Sequence, residues 1–309
     1  MNMNTGKTWN HSVAGLAAAV IALACLSCTK EGPPVTVVTF TVGTTHLVRE
    51  NEPPRRLCTG ETLNKGDRII TGENSEVAIQ AGGTILIKVL PNSAVALSSL
   101  LESGRCSLFQ ERGKILSKSK KLMKGESYLV HNRTAIAAVR GTEFMVTFER
   151  GVSSVAVAEG RVEVTKIETG ERRFIGEGGK AVISDAFDRV PLQKVDFLYI
   201  QKVSIVPFVD DLKDIDVESA KEIEKGFRPE EKRIDAEIEK LLSVSLIEML
   251  KMYGKIDVVK LYSGKTIRGI ITERGEEIVI LTPGGTVSVP RVKVQNTMVV
   301  TALRGGDHR

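Results

Sequence analysis

The sequence has few of the residues on which enzymes and metal sites depend. Only four histidines and four cysteines occur among 309 residues, and aromatic residues make up 5% of the chain. His46 and His131 have no cysteine or carboxylate near them at the spacing of a metal site, and His11 and His308 lie near the ends of the sequence. Neither a Gly-x-Ser-x-Gly nor a His-Glu-x-x-His motif occurs. These absences predict that the protein is not an enzyme and needs no metal or cofactor.

Two features resemble parts of catalytic sites and have simpler interpretations. Glu126, Glu143 and Glu159 are candidate carboxylic acids, but each adjoins a turn. The segment Gly176-Glu177-Gly178-Gly179-Lys180 lacks the spacing and the terminal Ser or Thr of a phosphate-binding loop, so a flexible turn is favoured. A cell-envelope enzyme with an unrecognised site stays open as an alternative function.

The most hydrophobic segment, Val13 to Leu26, is too short to cross a membrane comfortably. Fourteen residues do not span a hydrocarbon core of about 30 Å as a helix. The segment follows Lys7 and precedes the polar stretch Thr29 to Pro34, as in a secretory signal peptide. We therefore expect that residues 1–27 are removed and that the mature protein is exported.

The segment ends in Ala24-Cys25-Leu26-Ser27-Cys28, which resembles the lipobox of bacterial lipoproteins. Cys28 is the expected site of lipidation, and Cys25 is the alternative. Cys25 stands where the usual pattern has Leu, and relaxed lipoboxes of this kind resemble those of spirochaetes. Acyl chains, at about 0.8 kcal/mol per buried methylene, would anchor the protein in the envelope, facing the periplasm from the inner or the outer membrane.

Two cysteines then remain, Cys58 and Cys106, an even number in an oxidising compartment. A disulfide between them would close a loop of nearly fifty residues and stabilise the fold by about 4 kcal/mol. Two reduced cysteines in separate strands are the equal alternative, because the sequence does not give their distance.

The pattern of residues 35–185 predicts one β domain, a sandwich or β-roll of antiparallel strands. Short runs rich in Val and Ile are bounded by Gly, Asn or Pro, as in all-β domains. The expected strands are Val35–Val42, Arg68–Thr71, Glu76–Gln80, Thr84–Val89, Ala94–Leu97, Tyr128–Asn132, Glu143–Glu149, Ser153–Ala158 and Arg161–Ile167.

The charge pattern does not indicate nucleic-acid binding. The net charge is +5, and basic and acidic residues alternate along most of the chain. A solvated loop is the favoured interpretation of the one compact basic run, over contact with anionic lipid or another polyanion. That run comprises Lys118, Lys120, Lys121 and Lys124.

The order of motifs in this domain resembles the FecR family. The resemblance rests on five segments, which are Lys65–Ser75, Gly83–Val89, Leu90–Ser93, Ala138–Val146 and Val155–Val164. It implies a periplasmic module that senses or binds a partner, so the chain resembles a FecR-domain lipoprotein. Founding members of the family relay a signal from an outer-membrane receptor to a sigma factor, which makes regulation of transmembrane signalling by protein contact the alternative function.

The most recognisable family segment runs from Arg140 to Phe144. We expect Gly141 to permit a tight turn, Phe144 to pack inward, and Arg140 to pair with Glu143 across the bend. Gly160 should supply the positive φ of a hairpin turn. All the motif residues are expected to be structural, namely Arg140, Gly141, Thr142, Glu143, Phe144, Glu159 and Gly160.

The charged segment 210–253 predicts two helices, Val217–Lys225 and Pro229–Tyr253, separated by Gly226. It follows a connector, residues 186–209, whose apolar part is a strand pair or a linker. An apolar stripe on the second helix either packs on adjacent domains or binds a partner helix. Its members are Ile234, Ile238, Leu241, Leu242, Ser245, Leu246 and Met249.

Residues 254–303 predict a small five-stranded module that resembles an SH3-like or Sm-like barrel. The expected strands are Ile256–Leu261, Thr266–Thr272, Glu277–Leu281, Thr286–Val289 and Lys293–Val300, with hairpin turns between them. A tail, residues 304–309, follows. The whole sequence thus predicts a mainly β, lipid-anchored protein, with a linker at 28–34, that binds the membrane through its lipid and a protein partner in the envelope.

Overall fold

The computed structural model describes residues 35–99, 104–212, 215–283 and 285–301. The predicted signal peptide, the lipidation sites Cys25 and Cys28, the linker and the tail lie outside these residues. Among the described residues, no helix combines the length and apolar composition needed to cross a bilayer. The fold class is mainly β, as predicted.

Sixteen strands precede the helices. They are β1 Thr36–Val42, β2 Thr45–Val48, β3 Arg55–Arg56, β4 Arg68–Thr71, β5 Glu76–Ala81, β6 Ile85–Val89, β7 Ala94–Ser99, β8 Arg105–Ser119, β9 Ser127–His131, β10 Ala135–Val139, β11 Glu143–Glu149, β12 Val152–Glu159, β13 Arg161–Lys166, β14 Arg172–Gly176, β15 Gly179–Ile183 and β16 Phe187–Pro191. Helices α1 (Lys194–Ser204) and α2 (Val217–Tyr253) follow. The chain continues as β17 Lys255–Leu261, β18 Thr266–Arg274, β19 Glu277–Thr282, β20 Gly285–Pro290, a 3-10 turn Arg291–Lys293 and β21 Val294–Thr301.

The strands before the helices form two layers that share β8. The first layer has the order β1-β5-β6-β8-β11-β12-β15-β16, and the second has the order β3-β2-β4-β7-β8-β9-β10-β13-β14. Strand β8 pairs with β7 and β9 before Gly113 and with β6 and β11 from Gly113 onward. Gly113 has a φ of 92°, and a Cβ there would lie 2.6 Å from the Cα of Ser93. Only glycine therefore fits where β8 passes between the layers.

The main core lies between the two layers. Buried and half-buried residues alternate along β9 and β10, so one face of each strand contributes to this core. The rings of Tyr128 and Phe144 lie 6.0 Å apart there, and the Tyr128 hydroxyl is 2.8 Å from Ser117 Oγ. The inward position predicted for Phe144 is confirmed.

The helices cover the outer face of the first layer. All six residues of β5 are buried because the strand has a layer on each side. Phe40, Leu86 and Met145 belong to the same buried cluster as Ile200 of α1 and Phe227 of α2. The rings of Phe40 and Phe227 are 5.1 Å apart. This part of the protein therefore has three layers, two of strands and one of helices.

Charged side chains are buried between the first layer and the helices. The Lys88 ammonium is fully buried, contacts Glu231 and lies 2.9 Å from Glu76. Lys202 of α1 lies 2.7 Å from Glu76, and Arg228 lies 2.6 Å from Glu231. We call these five residues the buried ion cluster. Each charge has at least one partner of opposite sign, which is the condition under which ionic groups are found in protein interiors.

The prediction of two helices separated at Gly226 was wrong. Helix α2 runs through both Gly226 and Pro229, and Asp216 caps it by accepting a hydrogen bond from the Ser219 N–H. Pro229 and Lys225 lie on the exposed face, so the Lys225 carbonyl that Pro229 cannot satisfy is on the side of the helix that faces water. The packing of Phe227 against the strands holds the helix together at this point.

The connector prediction was also wrong in part, because Lys194–Ser204 forms helix α1. The apolar stripe of α2 packs on this helix, with Ile234 and Ile238 against Leu198. That confirms the packing interpretation for the middle of α2. The last members of the stripe, Ser245, Leu246 and Met249, are half-buried, and for them a partner helix stays a prediction.

The C-terminal strands form one antiparallel sheet with the order β20-β19-β18-β17-β21. Its core includes Val259, Ile267 and Ile280. The five predicted strands are therefore present. The edge strands β20 and β21 do not pair in the described residues, so the sheet is open and the predicted barrel is not closed.

Candidate functional site: a charged cleft

A cleft with two lobes lies where β8, β11 and β12 reach α1. One lobe has a volume of about 480 Å³ and the other about 440 Å³. We call the first the basic lobe, after its cationic lining of Lys118, Lys120, Lys121 and Arg140, beside Phe208. We call the second the acidic lobe, which is lined by Glu143, Glu159, Glu177, Phe197, Gln201 and Ser204.

The register of the strands sets the charge of the two lobes. Glu143 of β11 lies opposite Lys118 of β8 on one side and opposite Glu159 of β12 on the other. Basic residues thus follow on the β8 side and acidic residues on the β12 side. Glu143 and Glu159 border both lobes, so the cleft changes sign at this pair of residues.

Two glycines bring the family motif to the cleft. Gly141 has a φ of 78° and Gly160 a φ of 82°, as predicted for tight turns. A Cβ on Gly160 would lie 2.6 Å from the Gly141 carbonyl oxygen, so the two turns touch through their backbones. Ser119 Oγ accepts hydrogen bonds of 3.2 Å from the N–H groups of Gly141 and Thr142. These contacts fix the turn against the end of β8.

The predicted pair between Arg140 and Glu143 was wrong. Arg140 is exposed, and its Nε donates to the Leu122 carbonyl at 3.3 Å. Glu143 instead accepts a hydrogen bond from the Ser204 hydroxyl, and its carboxylate is 3.8 Å from Lys118. The turn at Gly141 separates the two side chains, because Arg140 directly follows β10 and Glu143 begins β11 in the other layer.

Three cations of the basic lobe have no internal ion pair. Within the described ranges, no carboxylate lies within 4.0 Å of Lys120, Lys121 or Arg140, and all three side chains are exposed. The Lys120 Nζ stands 4.4 Å from the centre of the Phe208 ring. Lys120, Lys121 and Lys124 are exposed outside the strands, as expected of a solvated loop, whereas Lys118 lies in β8. Lys118, Lys120 and Lys121 line the cleft, and Lys124 lies outside the lining.

The arrangement offers charge recognition rather than a recognisable reaction. Glu143 and Glu159 share the cleft, but Glu126 is not in its lining and accepts a hydrogen bond from the Met123 N–H. A Ser-x-x-Lys spacing does occur at Ser117 and Lys120, yet the Ser117 hydroxyl is buried against Tyr128 while Lys120 is exposed. No group of His, Cys, Asp or Glu residues suited to a metal occurs in the part of the chain that the structure describes.

The two described cysteines are free thiols, so the disulfide alternative is not realised. Cys106 is buried between the layers, where burial raises the pKa of its thiol to about 12. Cys58 is exposed in the loop after β3. The two residues are reduced, as in the alternative, but only Cys106 lies in a strand.

Several residues of the cleft could not be found from the sequence. Glu177, Gln201, Ser204 and Phe208 come from the β14–β15 turn, α1 and the segment after it, and the sequence predicts none of them as a site residue. The state of the Thr142 hydroxyl could not be predicted from the sequence either. It is buried at the wall of the basic lobe and has no hydrogen-bond partner in the described structure.

Comparison with known proteins gives one family match. The model of the family described as FecR protein matches residues 67–163, about a third of the chain. No curated protein matches. Two crystal structures of a proposed anti-sigma factor from Parabacteroides distasonis are similar at 15% identity, with TM-scores of 0.37 and 0.38.

The aligned region covers 45% of this chain and 63% or 62% of the crystallised chains, which is less than two thirds of their length. TM-scores this low carry no argument about a shared function. The family match does contain Arg140–Phe144 and Glu159–Gly160, the motif residues that line or support the cleft. The resemblance to the FecR family that the motifs indicated is thus confirmed for residues 67–163 of this chain.

Proposed function

We propose that this chain is a non-enzymatic envelope protein that binds a protein partner through the charged cleft of its FecR-type domain. In this proposal the lipid on Cys28, or on Cys25, holds the protein to a membrane and leaves the domain facing the periplasm. The domain acts as a binding, sensing or scaffold module. The C-terminal sheet is a second interaction module.

The single observation that supports this most is the position of the family motif. Arg140, Gly141, Glu143 and Glu159 all border the cleft, where Arg140 and Glu159 are exposed. Exposed charges without internal partners contribute little to folding, but they do steer and orient a partner. A motif that only specified the fold would not need them.

Regulation of transmembrane signalling by protein contact is the alternative form of this function. The FecR family match supports it, since the resemblance implies a relay between proteins. The two forms differ in the partner, which is a receptor or a transducer in the regulatory form and any envelope protein in the other.

Photocrosslinking in native envelopes tests the proposal. A benzophenone amino acid replaces Lys121 in the full-length protein, and in the control it replaces Lys124, which is exposed in the same loop but outside the cleft. We expect one recurrent protein adduct from position 121, none from position 124, and loss of the adduct when Glu159→Lys is added. Equal adducts from both positions, or none from either in correctly folded protein, would contradict the proposal.

The anchor is tested in the same cells by palmitate labelling. Cys28→Ala should abolish both the label and the membrane attachment. Label retained by Cys28→Ala and lost with Cys25→Ala would move the anchor to Cys25. Label retained by both variants would refute the lipoprotein part of the proposal and leave the cleft unaffected.

A further inference from the structure

We infer that the charged cleft binds an extended peptide segment that carries an acidic residue at one end and a basic residue at the other. The inference rests on the proposed function and adds the chemistry of the partner. It follows from the charges, the shape and the polar groups of the two lobes.

The charges of the two lobes exclude a ligand that is wholly anionic or wholly cationic. A polyanion that reached Lys120, Lys121 and Arg140 would extend toward Glu159 and Glu177, where like charges repel. A polycation in the acidic lobe would meet the lysines in the same way. Only a ligand that changes sign along its length satisfies both lobes, with its acid toward the lysines and its base toward the glutamates.

Glu143 takes no part in this recognition, because neighbouring side chains already neutralise its charge. Its carboxylate already accepts a hydrogen bond from Ser204 and lies 3.8 Å from Lys118, whose Nζ donates to the Ser204 carbonyl at 2.8 Å. The groups free to bind a ligand are therefore Lys120, Lys121 and Arg140 on one side and Glu159 and Glu177 on the other. Glu143, Lys118 and Ser204 hold the two lobes in position.

The shape and the remaining groups favour a peptide. Each lobe, at about 480 and 440 Å³, falls in the size range of ligand pockets. Phe208 and Phe197 supply one aromatic surface per lobe for the aliphatic parts of side chains. The Gln201 amide can donate to and accept from a peptide bond.

Binding of synthetic peptides tests the inference. Four fluorescein-labelled peptides of about eight residues, roughly 26 Å when extended, carry acidic residues at one end and basic residues at the other, acidic residues at both ends, basic residues at both ends, or no charge. Fluorescence anisotropy with the full chain measures their affinity. We expect the peptide with both charges to bind about tenfold more tightly than the others, and more weakly as salt screens the charges.

Matched variants assign the binding to the cleft. Lys121→Ala and Glu159→Gln should each weaken the peptide with both charges about five- to tenfold, as expected for loss of one charge-assisted hydrogen bond. Lys124→Ala and Glu248→Gln remove exposed charges outside the cleft and should leave the affinity unchanged.

Three outcomes would overturn the inference. They are equal affinity for all four peptides, tighter binding of the acidic peptide than of the peptide with both charges, and Lys121-dependent binding to anionic phospholipid vesicles. If the adduct from position 121 persists in any of these cases, the proposed protein-binding function stands and only the peptide chemistry fails. If that adduct is absent as well, both fail.

Discussion

Lys88 of β6 and Glu231 of α2, which are 143 residues apart in sequence, form an ion pair in which both side chains are fully buried. The pair lies under the helical layer, and the centres of the neighbouring Phe40 and Phe227 rings are 5.4 and 5.9 Å from the ammonium. A buried charge is costly unless its partner is in place, so this pair tolerates only one position of α2 on the sheet.

Removing Lys88 should destabilise the protein strongly. Lys88→Met keeps most of the volume but leaves Glu231 and Glu76 buried with too few cations, and breaking such a pair costs about 3–5 kcal/mol. Urea unfolding measures the change in the free energy of unfolding. Lys65→Met, at an exposed position, is the control and should change it by less than about 0.5 kcal/mol.

The double variant Lys88→Met with Glu231→Leu separates charge from packing. It removes one charge of each sign, so its loss of stability should be smaller than the sum of the two single losses. A strictly additive result would show that the two residues do not interact as the structure indicates.

Stability should fall in acid through Glu76. Burial acts to raise the pKa of Glu76, but Lys88 and Lys202 overcome this and lower it from 4.5 to about 2. A carboxylate with a lowered folded pKa contributes stability that is complete above its unfolded value and is lost as pH falls toward the folded value. Glu76→Gln should therefore be less stable than the wild type above pH 5, and the difference should shrink between pH 4.5 and 2. A difference that stays constant over this window would contradict the assignment.

Substituting Gly160 should reduce the stability of the protein more than substituting a glycine with no atoms close to an added Cβ. Gly160 and Gly170 both have positive φ, at 82° and 69°, but only Gly160 has atoms within 4 Å of an added Cβ. Gly170→Ala should cost about 1 kcal/mol from the backbone conformation alone. Gly160→Ala adds the collision with the Gly141 carbonyl and should lower the midpoint of thermal unfolding further. Equal losses would mean that the two turns at the cleft do not touch.

Substituting Gly226 should stabilise the protein. Gly226 lies inside α2 with open space around it, and alanine is favoured over glycine in a helix by about 1 kcal/mol. Gly226→Ala should raise the free energy of unfolding by roughly 0.5–1 kcal/mol. If the helix were interrupted at Gly226, as the sequence predicted, Gly226→Ala would lower the free energy of unfolding instead.

The sequence predicted strands well where turn residues bounded them. Arg68–Thr71 and Glu143–Glu149 have the predicted ends. It did not predict β8, because a fifteen-residue strand that includes Gly113 and several charges has no simple alternation. Because β8 positions Lys118 in the cleft, the sequence could not predict that the basic run lines a cleft.

The buried ion cluster and the acidic lobe were missed for a different reason. Lys88 and Glu231 look like ordinary surface residues in sequence, and only the packing of α2 on the sheet buries them. Glu177 lies in a segment that the sequence indicates only as a flexible turn, and Ser204 ends α1, a helix that the sequence did not predict. Contacts between residues so distant in sequence leave no local pattern to find.

The segment that matches the family model is shorter than the segment whose strands and helices pack together. The match covers residues 67–163, but β5 and β4 within it pair with β1 and β2 before it, and β12 pairs with β15 after it. A fragment cut at the ends of the match would expose four open strand edges, because β13 also loses its partner β14, and it would leave Lys88 without Glu231. Any fusion, truncation or domain exchange with this protein should therefore keep residues 35–253 together, because strands and helices outside the family match pack on the matched segment and bury its charged residues.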